Sequence, residues 1–66
     1  MDILKQLEEG KPFSGKNGAF TGRVEPQSIS GDTLSVICDK DGTRWHENWE
    51  LQYTIWGFER GDYYFL

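Results

Sequence analysis

The sequence predicts a mostly β domain spanning residues 1–66: a short N-terminal helix followed by an antiparallel sheet of four to six strands, which so small a chain can close as an SH3-like barrel. Three observations predict it. Apolar and polar residues alternate with period two over 19–25, 32–39 and 49–55. Two turn motifs ending in glycine, Lys16-Asn17-Gly18 and Asp39-Lys40-Asp41-Gly42, punctuate those runs. Asp2 as a start signal and Gly10 with Pro12 as a stop bracket one short helix near the N-terminus.

In that first segment Asp2 is a fair N-cap, Ile3, Leu4 and Leu7 share one face, and Gly10 with Pro12 stops the helix. Two turns are marginal alone in water, so this helix must pack on the sheet. Residues 12–14 and 19–25 form the arms of a hairpin across Asn17-Gly18. Phe20, Gly22 and Val24 share one face of the second arm, and Pro26 ends it before a polar loop at 27–31. In 32–39, Leu34, Val36 and Cys38 face one way and Thr33, Ser35 and Ile37 the other. The Asp41-Gly42 turn then leads into Thr43-Arg44-Trp45-His46.

The segment 49–56 alternates Trp49, Leu51, Tyr53 and Ile55 with Glu50, Gln52, Thr54 and Trp56, the pattern of a half-buried strand. A helical reading of the same residues puts Asn48 at the cap and Trp49, Tyr53 and Trp56 on one face. Aromatic and β-branched content favours the strand. Residues 57–62 then read as a turn and 63–66 as a last strand, with Tyr63 and Phe65 on one face and Tyr64 and Leu66 on the other. No Lys, Pro or charged side chain follows Asp62 to blunt an exposed edge. This strand is therefore expected inside the sheet and covered on both faces, by barrel closure or by a second subunit.

A core this small supplies only about 3–5 kcal/mol, so a staple is expected. Cys38 is the single cysteine and closes no intrachain bridge; Cys38 and His46 make no pair at zinc spacing. Self-association is the route left open, as a homodimer. Ten aromatics supply most of the burial, and all but Phe13 and Phe20 lie between Trp45 and Phe65. The net charge of −4, with scattered cations, argues against direct nucleic-acid binding and suits docking on a basic protein surface. The longest apolar run is 63–66, so neither a membrane span nor a leader is expected, and one free thiol points to the cytoplasm.

Catalytic constellations are missing from the pattern. His46 lies between Arg44 and Glu47, but strand neighbours point to opposite faces, so Glu47 is badly placed to orient it. Cys38 has no adjacent cation to activate it. Asp39–Gly42 lacks the further acidic ligand of a calcium loop, and the glycines of 15–22 lack the Gly-Lys-Ser/Thr of a phosphate loop. No cofactor and no metal are expected. The tryptophans carry more: three cannot easily all be buried in so small a chain, and Trp and Tyr are favoured interface anchors. The binding candidates are Trp56, on the polar face of its run, with Trp45, Tyr64 and the carboxylates Glu50, Glu59 and Asp62.

The helix end Leu7-Glu8-Glu9-Gly10-Lys11-Pro12, the turn Gly15-Lys16-Asn17-Gly18, the later tryptophans and Gly61-Asp62-Tyr63-Tyr64 resemble the pattern of very small accessory proteins of tailed bacteriophages. The likeness covers residues 4–18 and 45–64, and the usual Arg-Asp-Gly turn is Lys16-Asn17-Gly18 here. It transfers no residue roles. It implies a class of viral proteins, many of which bind and disable host enzymes or defence proteins. The leading expectation is thus a non-catalytic inhibitor or adaptor that docks through an aromatic and acidic patch. One alternative is an oligomeric sponge for a nucleotide signal, held by aromatic stacking with Lys16, Arg23 or Arg44. Another is a structural or assembly role in a virion.

Overall fold

The computed structural model describes residues 2–66. In chain order it holds α1 (Ile3–Glu8), β1 (Phe13–Gly15), a 3-10 turn (Lys16–Gly18), β2 (Thr21–Val24), β3 (Thr33–Lys40), β4 (Thr43–Glu50), α2 (Leu51–Arg60) and β5 (Tyr63–Phe65). The fold is mostly β. Its strands form one antiparallel sheet in the order β4-β3-β2-β1-β5. No ladder joins the two edge strands, so the sheet is open. Side chains bridge the gap instead: Trp49 of β4 stacks on Tyr63 of β5 with ring centroids 5.2 Å apart.

Local chemistry explains most boundaries. The Asp2 carboxylate accepts from the Lys5 N–H at 3.0 Å, which caps α1, and Gly10 leaves the helix at φ +74°. Asn17 (φ +62°) and Gly18 (φ +70°) turn the β1–β2 connection, and Asp41 (φ +51°) with Gly42 (φ +83°) makes the tight β3–β4 hairpin. The inner face of β3 is the expected row, since Leu34, Val36 and Cys38 are all buried. They join Leu7, Phe13 and Val24 in the core. Phe13 lies at its centre, fully buried among the rings of Phe20, Trp49, Phe58, Tyr63 and Phe65. Burying that ring stabilises the fold by about 3 kcal/mol. Gly22 makes room for it, as a Cβ there would sit 3.1 Å from Phe13 Cζ.

Two expectations are corrected. The strand expected over 49–56 is not continuous: β4 stops at Glu50 and the chain turns helical from Leu51 to Arg60. The β3–β4 ladder runs from Lys40↔Thr43 to Thr33↔Glu50, and the Leu51 N–H makes one more bond, to Asp32 O at 2.7 Å. Beyond that point no strand lies alongside, so extended backbone would leave its N–H and C=O groups unpaired. A helix pairs them internally. It also turns Leu51, Thr54, Ile55, Gly57 and Phe58 toward the core, with Thr54 and Gly57 buried. The Thr54 hydroxyl donates to Glu50 O at 2.8 Å, and Gly61 ends the helix in the left-handed region at φ +88°.

The last strand is the second correction. β5 pairs with β1 alone and forms a sheet edge. Tyr63 and Phe65 face the core as expected, but Tyr64 and Leu66 are 48% and 62% exposed. Barrel closure does not cover them.

Candidate functional site

Helix α2 positions the most conspicuous exposed groups. Its inner face is fixed by the core, so residues 52, 53, 56, 59 and 60 point outward. Tyr53 is 60% and Trp56 43% exposed. One helical turn apart, their rings meet edge to face with centroids at 5.3 Å. Each thereby limits the other's rotamers, and an ordered aromatic pair loses less entropy on binding than two free side chains.

Carboxylates flank the pair along the helix. Glu50 stands at the N-cap and lines an open depression with Trp49, Tyr53, Thr54 and Tyr63. Glu59 lies one turn beyond Trp56 and lines another with Asp2, Ile3, Leu4 and Ile55. At the far end, Arg60 is bound to Asp62 at 3.0 Å, so that pair is electrically neutral. The face is therefore apolar in its middle and acidic around it.

Of the six candidates read from sequence, Trp56 and Glu59 lie on this helix and Glu50 stands at its N-cap. Asp62 follows its end, held by Arg60. Tyr64 lies elsewhere, on the outer side of β5. Trp45 is half-buried on the inner face of β4, and its indole N–H donates to Glu47. The same carboxylate accepts from the Trp49 indole at 2.8 Å. These two bonds favour the ionised form and hold the Glu47 carboxyl below its ordinary range. Glu47 thus locks both tryptophans, and the spacing Trp45-x-Glu47-x-Trp49 was the sequence signal for it. Tyr53 was missed because the strand pattern turned it inward; the helical alternative pairs it with Trp56.

The groups considered for chemistry are dispersed. Cys38 is buried, and burial, with Glu47 and Asp39 nearby, pushes its thiol up to about 11. His46 is exposed, with Nε2 3.9 Å from the Glu25 carboxylate. Arg44, a candidate phosphate holder, is bound to Asp39 at 3.0 Å. Among the described residues no three His, Cys, Asp or Glu side chains come together as metal ligands, and no helix is long and apolar enough to cross a membrane.

No family model, curated protein or solved structure matches this chain.

Proposed function

We propose that this chain is a non-catalytic binding protein that docks on another protein through the outer face of α2, acting as an inhibitor or adaptor. One observation carries this reading: a paired, exposed tyrosine and tryptophan on a helix whose opposite face is anchored in the core. Exposed Trp and Tyr on rigid elements are the residues that dominate interface energetics. Flanking Glu50 and Glu59 select a partner groove that is apolar at its centre and basic at its rim, and they steer its approach. The class implied by the likeness to phage accessory proteins fits such a surface. A free thiol kept buried in the fold suits the reducing cytoplasm, where we place the protein.

The test is comparative capture. Wild-type protein and Trp56→Ala are immobilised, and proteins held by the first and lost by the second are purified and titrated directly. Trp56→Ala should weaken binding by about fivefold or more with unchanged circular dichroism, as truncation of an interface anchor does. Glu59→Lys should slow association. A partner that binds Trp56→Ala and wild type equally would refute the assignment of this face.

A further inference from the structure

The β5 edge carries a second surface, independent of α2. The register of β5 on β1 is set by two flanking bonds, Lys16 N–H to Asp62 O at 2.8 Å and Leu66 N–H to Pro12 O at 3.1 Å. In an antiparallel ladder hydrogen-bonded pairs alternate, so Tyr64 is the residue of β5 whose N–H and C=O face β1 through Ser14. The N–H and C=O of Tyr63 and Phe65 therefore point away from the sheet. Among the described residues no backbone or side-chain group bonds to them. Beside them runs a groove of about 340 Å³ lined by Ile3, Phe58, Gly61, Tyr63, Tyr64 and Phe65.

We propose that two copies of this chain pair through their β5 edges, antiparallel about a two-fold axis at Tyr64. That register sets Tyr63 of one copy opposite Phe65 of the other, and the reverse, so all four outward backbone groups of each strand find partners. Tyr64 then faces its own symmetry mate as a non-hydrogen-bonded pair, the closer kind, with both rings on the outer face. The charge pattern favours a second copy. Residues 63–66 carry no charged side chain, so the strand meets its own image without repulsion. The other edge, β4, displays Arg44, His46, Glu47 and Glu50 and is protected against such pairing. An interface limited to one short strand and its flanks falls below the roughly 1,200 Å² of a standard complex, so the dimer is weak and reversible.

Sedimentation velocity reads this directly. The wild-type chain should be monomeric near ~1 µM and substantially dimeric toward ~1 mM, the range in which an interface of this size is populated. Tyr64→Lys places like charges directly opposite one another and should weaken association by about tenfold or more. Its fold should persist, because Tyr64 lies on the outer side of the strand. Tyr64→Cys should oxidise rapidly to a disulfide-linked dimer, since the opposed Cα atoms would lie about 4.5 Å apart. Leu66→Cys should cross-link far more slowly, because position 66 faces position 62 of the partner. Buried Cys38 does not compete. Trp56→Ala should leave self-association unchanged. A chain monomeric at every concentration, a dimer indifferent to Tyr64→Lys, or equal cross-linking at positions 64 and 66 would each overturn the proposal.

Discussion

Replacing Gly57 by alanine sets two well-known effects against each other. Gly57 lies inside α2, where alanine is favoured over glycine by about 1 kcal/mol. On propensity alone, Gly57→Ala should stabilise the protein. The structure reverses the sign. A Cβ at position 57 would lie 2.6 Å from Tyr63 Cδ2 and closer still to Cε2. That ring cannot swing aside freely: it stacks on Trp49 and packs against Phe13 at 5.9 Å and Phe58 at 5.5 Å between centroids. Forcing an extra methyl into a filled site costs about 1–3 kcal/mol. Loosening the aromatic contacts costs about 0.5–1.5 kcal/mol for each pair lost. With one such pair lost and the propensity gain deducted, Gly57→Ala should destabilise by about 0.5–3.5 kcal/mol, which at its upper end matches the whole stability expected of a domain this size. Urea unfolding followed by tryptophan fluorescence and circular dichroism measures the shift in midpoint. Repeating it in a Tyr63→Leu background separates the terms, because with the ring removed Gly57→Ala should become neutral or stabilising. A raised midpoint with Tyr63 intact would refute the packing of β5 against α2.

Two further outcomes follow from the β3–β4 pair. Glu47→Gln keeps one acceptor oxygen but loses the charge that binds two indoles, so it should lower the urea midpoint at pH 7. Folding depresses the Glu47 pKa, so its contribution is present above the ordinary carboxylate range and fades as pH falls through the folded value. The gap between Glu47→Gln and wild type should therefore shrink in acid; a gap that is constant with pH would count against the ion-assisted bonds. Cys38 should resist thiol reagents at pH 8 in the native chain and react readily in urea. Its thiol holds its proton more tightly when folded, 9.0 becoming about 11, so stability should fall as pH rises across that window. Equal labelling of folded and unfolded protein would show that Cys38 is not buried.

Much of the sheet was legible because its signals are local. Asn17-Gly18 and Asp41-Gly42 demand positive φ and so mark the turns. The alternation of Leu34, Val36 and Cys38 marks the buried face of β3 whatever lies beside it. Asp2 and Gly10 delimit α1 by the same logic, since a cap bond and a left-handed residue need only their immediate neighbours. Trp56 was legible as an exposed aromatic from its place on the polar side of a two-residue period, although it is a helix that exposes it.

What the sequence could not decide was set by distant neighbours. Residues 51–56 satisfy both a two-residue and a 3.6-residue period, and their aromatic and β-branched content leans toward strand. The choice fell to the length of β3: its ladder ends at Thr33↔Glu50, so a longer β4 would have no partner while a helix satisfies its own backbone. That choice moved Tyr53 from the core to the surface beside Trp56, and it left β5 at an edge. The sequence by itself determined the buried row of β3 and the turns at Asn17-Gly18 and Asp41-Gly42, because side-chain polarity and backbone strain belong to each residue alone. Tertiary structure decided which strand ran out of partners and which aromatics were left in water, because a hydrogen-bond ladder exists only where two distant segments lie side by side.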